Sequence, residues 1–228
     1  MSDSLAVIVA ARNEADRIAA TLVALRGAFP DAALWVADDA STDGTAEVAM
    51  AAGAQVVSRG RPHGKGANMT AAAEAALSAG PAPKLVLLCD GDLGDSAGGL
   101  APLIEAVRAG ECDLAVAAFS RRVGGGFGVA LGFARWTIRR LCGVETTAPI
   151  SGQRAMRTEA LRAALPFAHG YGMEVGMTVD IVRAGYRVRE YELDLSHRAT
   201  GRTLAGFAHR ARQLTDFARA YRARRRTG

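Results

Sequence analysis

Apolar residues along the chain fall into two patterns. Residues 5–11, 34–37 and 85–89 are short runs without polar interruption, the pattern of strands covered on both faces. Gln55-Val56-Val57-Ser58 and residues 113–120 read as two further strands. Between these runs apolar positions return at helical spacing. Ile18, Leu22 and Leu25 follow the first strand, and Asn13 is placed to cap that helix. A second helix runs to about Ala52 and stops at Gly53, an alanine-rich one reaches Ala79, and another covers residues 100–108. This alternation predicts an α/β fold with a mostly parallel central sheet, right-handed crossovers and flanking helices.

Beyond Ser120 the pattern changes. Residues 121–128 are basic and glycine-rich, and residues 129–141 mix bulky apolar side chains with Arg135, Arg139 and Arg140. Residues 151–154 read as a turn or short strand, followed by a helix around 159–164. A further helix opens at 170–174 and ends near Gly185, and residues 187–193 alternate as a half-exposed strand. From Thr203 a helix puts Leu204, Phe207, Ala211, Leu214, Ala218 and Tyr221 on one stripe. With no repeat and no clear linker, residues 1–228 are expected to form one domain.

Composition narrows the classes. The chain has 228 residues, half of them hydrophobic and 22% charged, which suits a globular domain with a good core rather than a disordered chain. Cys89, Cys112 and Cys142 lie far apart without metal-ligand spacing, as expected in a reducing compartment. The first apolar run is too short for a signal peptide, and no segment approaches the ~20 apolar residues that span a bilayer. A cytoplasmic location is therefore expected. The net charge of +5 is uneven, since nine arginines and one acid, Asp216, follow from Arg198 onward. That asymmetry points to an anionic partner: phosphate, lipid headgroup or nucleic acid.

The candidate chemistry sits at strand ends. Leu85-Val86-Leu87-Leu88-Cys89 runs straight into Asp90-Gly91-Asp92, and open α/β sheets bind ligands at that carboxyl edge. Two carboxylates so close repel unless a cation lies between them, and hard oxygens suit Mg²⁺ or Mn²⁺. The plainer alternative is a loop in which Asp95 or Ser96 caps the next helix. Asn13 and the pair Asp38/Asp39 end two other strands, so three strand ends carry such residues, as a shared site would require.

Val7-Ile8-Val9-Ala10-Ala11-Arg12-Asn13-Glu14, then Asp38-Asp39-Ala40-Ser41-Thr42-Asp43-Gly44-Thr45, then Gly64-Lys65-Gly66, then Asp90-Gly91-Asp92 occur in that order. Together they resemble the family 2 glycosyltransferases of the GT-A fold, over roughly the first half of the chain. The second half is similar to two groups of that superfamily. Residues 165–176, with His197-Arg198, resemble glucosyl-3-phosphoglycerate synthases. Gly124-Gly125-Gly126, Ser151-Gly152-Gln153-Arg154 and Gly201-Arg202 resemble polyprenyl-phosphate sugar synthases of the dolichol-phosphate mannose type.

The resemblance implies a metal-dependent transfer of a sugar from a UDP- or GDP-sugar to a phosphate-bearing acceptor. Polyprenyl phosphate or another cell-envelope precursor is the leading acceptor, and a small soluble one is the alternative. Residues 1–120 would bind the nucleotide-sugar, 121–202 the acceptor, and 203–228 would form a basic terminal helix. Asp39 would accept the imino hydrogen of the base, with Asp38 structural. Ala11, Asn13, Glu14, Lys65, Asp90 and Gly91 would complete the donor site, Lys65 touching phosphate unless it is simply a solvated loop lysine. Asp90 and Asp92, with His197, would hold Mg²⁺ or Mn²⁺, Asp92 sharing the catalytic role with Glu174. Arg121, Arg122, Arg154, Arg198 and Arg202 would offer fork contacts to the acceptor. A phosphate acceptor, with a second pKa near ~6, is ionised at neutral pH and needs no general base. Glu174 is accordingly expected to accept hydrogen bonds from sugar hydroxyls. Ala40 departs from the family's usual glycine.

Residues 129–141 and the terminal helix suit peripheral contact with the inner face of an anionic membrane, or equally an ordinary layer over the sheet. A homodimer is open on the same terms. Other classes fit worse. Gly60 to Gly64 leaves three residues where a P-loop needs four, and Gly66 replaces its Ser or Thr. No G-x-G-x-x-G follows the first strand, which argues against a dinucleotide enzyme. Sugar-phosphate nucleotidyltransferases carry a glycine-rich first loop that is missing here. The alternative of another class is a basic protein that binds nucleic acid or a membrane surface through its tail; the tail lacks interleaved aromatics, so nucleic acid is not an expected partner.

Overall fold

A computed structural model describes residues 4–119, 128–195 and 204–225, without the side chains of Phe119 and 204–212. Among these residues seven strands form one sheet: β1 (Leu5–Ala11), β2 (Ala33–Asp38), β3 (Gln55–Ser58), β4 (Leu85–Asp90), β5 (Leu114–Phe119), β6 (Arg154–Arg157) and β7 (Val188–Leu193). Their spatial order is β3-β2-β1-β4-β6-β5-β7. The pairs β1–β2, β1–β4, β2–β3 and β5–β7 are parallel, while β6 runs antiparallel to both β4 and β5. The sheet is thus mostly parallel, as expected. The exception is β6, which begins where residues 151–154 read only as a turn or short strand.

Among the described residues eight α-helices cover the sheet: α1 (Ile18–Ala28), α2 (Thr45–Ala51), α3 (Lys65–Ser78), α4 (Ala101–Arg108), α5 (Val129–Cys142), α6 (Thr158–Ala164), α7 (Met173–Arg183) and α8 (Leu204–Arg225). Alternate residues of β1 feed two cores. Leu5, Val7 and Val9 pack with Ile18, Leu22 and Leu25 of α1 and Leu103 and Val107 of α4. Ala6 and Ile8 pack with Met69 and Ala72 of α3, Leu161 of α6 and Met177 and Ile181 of α7. Each large side chain so buried contributes roughly 1.5–3 kcal/mol relative to exposure. Burial on both faces explains the unbroken apolar runs.

A third cluster joins Ala134 and Ile138 of α5, Val175 and Val179 of α7 and Phe217 of α8. Gly170, at φ +57, brings the backbone against the Asp216 carboxylate of α8, which accepts the Tyr171 N–H at 3.1 Å. Farther along, Arg224 forks onto Asp180 of α7. The described part of the basic terminal helix is therefore fastened to the protein. Among the described residues no helix is long and apolar enough to cross a membrane.

Two local expectations need correction. α1 starts at Ile18 with no side-chain cap, and Asn13 instead takes a positive φ of 55 and turns toward the neighbouring loop. After β4 the chain enters a 3₁₀ segment, Gly94–Leu100, that has no side-chain cap from Asp95 or Ser96; the Ser96 hydroxyl donates to the Leu93 carbonyl at 2.7 Å.

Candidate functional site

Strand register gathers the carboxyl ends of β2, β1 and β4 into one rim, with Ala11 opposite Asp38 and Ala10 opposite Asp90. The ends of β1 and β2 are stitched together. The Asn13 N–H donates to Ser41 Oγ at 2.9 Å, its Oδ1 accepts the Thr42 N–H at 2.9 Å, and the Glu14 N–H donates to Thr45 Oγ1 at 2.9 Å. Asn13 is thus a clamp on the second loop, and Ala11 lies in the core with its carbonyl accepting the Asp39 N–H at 3.0 Å. Asp38 is buried and takes the Ser58 hydroxyl at 3.0 Å and the Ser41 N–H at 3.3 Å, a structural role.

Asp39 organises the glycine-rich loop before α3. Its Oδ1 accepts the His63 N–H at 2.7 Å, the Gly64 N–H at 3.2 Å and the Asn68 amide. Oδ2 has longer contacts, to the Gly64 N–H at 3.2 Å and to Arg12 Nη1 at 3.5 Å. Arg59 in turn holds the Asn68 carbonyl, donating from Nε at 3.0 Å and Nη2 at 2.8 Å, which fixes the amide toward Asp39.

Lys65, the first residue of α3, joins two carboxylates. Its Nζ lies 2.7 Å from Asp90 Oδ1 and 2.8 Å from Glu174 Oε1. Gln153 Nε2 donates to the other Asp90 oxygen at 2.8 Å. Glu174 is buried in the first turn of α7, and Gly152 presses its backbone onto the cluster. Burial alone would lower the Lys65 pKa, but the charges of Asp90 and Glu174 outweigh it and raise it, so the ammonium stays charged. Behind the cluster, burial and the Asp90 charge push the Cys89 thiol pKa up, leaving an inert core side chain.

The turn after β4 is held from α1. The Gly91 N–H donates to the Ala10 carbonyl at 2.8 Å, and the Gly91 carbonyl accepts from Thr21 Oγ1 at 2.8 Å. Arg17 Nη1 donates to the Asp92 carbonyl at 3.0 Å. Asp92 is half-buried two residues from Asp90. No group of three or more His, Cys, Asp or Glu side chains gathers among the described residues. Two carboxylates supplemented by substrate phosphates and water nevertheless match the way Mg²⁺ is usually bound. An ammonium already seated on Asp90 Oδ1 shows that this oxygen attracts a cation. The residues present fit a divalent ion.

Sequence reading missed Gln153, Arg17, Thr21, Arg59 and Asn68. Thr21 offered a signal, being a polar residue inside the apolar stripe of α1. Arg154 needs correction as an acceptor contact. It is 1% exposed, and its guanidinium is spent on the carbonyls of Ser151 at 2.8 Å and Pro149 at 3.3 Å and on Thr178 Oγ1 at 2.9 Å. Burial pushes its pKa down to about 10, against the pull of Glu174 and Glu190. His197, Arg121, Arg122, Arg198 and Arg202 lie outside the described residues.

Residues 6–164 match the model of glycosyl transferase family 2. An undecaprenyl-phosphate mannosyltransferase of Micrococcus luteus is 32% identical over 210 residues, spanning 85% of this chain and 84% of the relative. Among solved structures, the glucosyl-3-phosphoglycerate synthase of Mycobacterium tuberculosis with Mn²⁺, UDP-glucose and phosphoglyceric acid superposes with a TM-score of 0.75. It is 27% identical, covering 98% of this chain and 80% of that one. The same enzyme with Mg²⁺ and UDP gives 0.76 at 28% identity, covering 96% and 79%.

Proposed function

The chain belongs to the family 2 glycosyltransferases, with the GT-A fold, and from that premise we propose that it moves a hexose from a UDP- or GDP-sugar onto a phosphate-bearing acceptor, a polyprenyl phosphate foremost. One observation carries the reading. Asp90, Lys65 and Glu174 form a continuous charge cluster at the rim where β1, β2 and β4 end, beside the loop that Asp39 holds.

Asp39 Oδ2, the oxygen with the longer contacts, is left to accept the imino hydrogen of the base. Asp90 and Asp92 would hold Mg²⁺ or Mn²⁺, which when bound offsets charge on the departing nucleoside diphosphate as a Lewis acid. Lys65, at the N-terminus of α3, brings its ammonium to the same diphosphate. Glu174 anchors the sugar through its hydroxyls. The acceptor phosphate attacks the anomeric carbon as an oxyanion, so no side chain has to remove a proton.

Two features support a lipid-linked acceptor. The Micrococcus luteus relative acts on undecaprenyl phosphate, and it aligns along most of both chains. Trp136, 41% exposed, stacks on Phe133 and lies 5.1 Å from the Tyr221 ring, with exposed Arg139, Arg140 and Arg222 on the same two helices. Aromatic and basic groups together suit the surface of an anionic membrane. The second reading, a small acceptor such as phosphoglycerate, is favoured by superposition on a phosphoglycerate enzyme over 98% of the chain. The test is transfer from radiolabelled UDP-glucose and GDP-mannose with Mn²⁺, each offered undecaprenyl phosphate or 3-phosphoglycerate. Label in the organic phase supports the first reading and label in the aqueous product the second. Transfer to neither overturns both.

A further inference from the structure

The chain has 26 arginines and two lysines, Lys65 and Lys84. At almost every basic position it therefore uses the planar, multi-donor guanidinium, yet the ion-pair cluster of the site is built on an ammonium. The difference is physical. A guanidinium grips a carboxylate with two parallel bonds, whereas an ammonium is a compact point charge on a flexible stem that exchanges partners readily. Lys65 Nζ sits within 2.8 Å of both Asp90 Oδ1 and Glu174 Oε1, under the backbone of Gly152. Asp90 Oδ1 is also one of the hard oxygens that fit a divalent ion. An ammonium and a divalent ion cannot share that oxygen at ~3 Å from each other, because like charges at such a distance repel strongly in a partly buried site.

We propose that Lys65 is a displaceable counter-ion: it ties Asp90 to Glu174 before ligands arrive, yields Asp90 to the divalent cation, and then takes the donor diphosphate as its new partner. This rests on the reading that Asp90 binds a divalent ion. It adds that metal entry competes with an internal cation, so the metal-binding carboxylate is never left uncompensated.

The test needs no turnover. The 228-residue chain is pulse-labelled with an amine-acetylating reagent, and peptide mass spectrometry reads Lys65 against exposed Lys84, which serves as internal standard. Bound Mn²⁺ is counted separately by electron paramagnetic resonance. Lys65 labelling is expected to be low in the protein alone and to rise about tenfold at saturating Mn²⁺, the factor for a ~1.4 kcal/mol weaker hold on the amine. It should fall again when UDP or GDP joins the Mn²⁺. Unchanged labelling with Mn²⁺ demonstrably bound overturns the proposal while leaving the metal reading intact. No Mn²⁺ bound with or without nucleotide overturns the metal reading itself. Lys65→Gln gives a second measure: nucleotide-free Mn²⁺ affinity should tighten about tenfold, with Lys84→Gln unchanged. An unaltered affinity in Lys65→Gln counts against displacement.

Discussion

Gly152→Ala adds one methyl group to the site and removes no functional group. Its Cβ would lie 2.6 Å from Asp90 Oδ2 and 2.8 Å from Lys65 Nζ. Ordinary contact begins at 3.4 Å, so the carboxylate must retreat by about 0.8 Å, the difference between 3.4 and 2.6. Both crowded atoms are ends of side chains rather than backbone, so the fold can yield at little cost, within about 1 kcal/mol. Positioning cannot yield so cheaply. A misplacement near 1 Å costs on the order of 10²-fold in rate, or ~2.7 kcal/mol of transition-state stabilisation. The expected result is a drop of about 30- to 100-fold in kcat/KM for sugar transfer with a nearly unchanged thermal midpoint. Gly27→Ala is the matched control, since a Cβ there meets nothing within 4 Å. It should keep full activity and gain up to ~1 kcal/mol from helix propensity. Wild-type kcat/KM in Gly152→Ala would refute the idea that the Asp90–Lys65 geometry governs turnover.

Other perturbations probe neighbouring parts. Ala40 is held at φ 55, where a Cβ is strained, so Ala40→Gly should stabilise the protein by about 0.5–1 kcal/mol in urea unfolding. No gain would mean that the strain is absorbed elsewhere. Arg154→Met leaves the Ser151 and Pro149 carbonyls without their buried donor and should destabilise by roughly 3 kcal/mol, with acceptor KM hardly moved in the folded fraction. A raised acceptor KM at wild-type stability would restore Arg154 to the acceptor site. Burial opposes the ionised form of Glu190, but the hydroxyls of Thr146 and Thr147 and the amides of Thr147 and Ala148 prevail and lower its pKa below 4.5. A carboxylate lowered on folding contributes stability above the unfolded value and loses it as pH falls through the folded one. Unfolding midpoints should therefore drop below pH 4.5, and Glu190→Gln should flatten that part of the profile. An identical slope in the variant would rule Glu190 out as its source.

The strands with continuous apolar runs could be read directly, because a parallel strand covered on both faces leaves no place for polar residues. β6 could not. Arg-Ala-Met-Arg looks like a turn with arginines at both ends, and only its seat between β4 and β5 makes it a strand. What β6 delivers was hidden with it. Gln153 and Gly152 reach Asp90 because an antiparallel strand starts at the edge where β4 ends, which no local pattern announces. The Asp90–Asp92 turn was legible for the opposite reason, since it follows its strand in sequence. Asn13 misled because asparagine serves both as helix cap and as left-handed loop residue, and the loop from β2 decided between them.

The placement of β6 also governs how the molecule can be divided. β4, which carries Asp90, has β1 on one side and a strand recruited from residues 154–157 on the other. A fragment ending at residue 119 would keep every donor-side motif and yet present β4 as a naked apolar border, inviting another chain to zip onto it. Ribosomal synthesis meets the same obstacle, since the rim cannot close until the later segment has emerged. Swapping acceptor modules between relatives would therefore have to carry β6 with the donor half to keep the sheet whole.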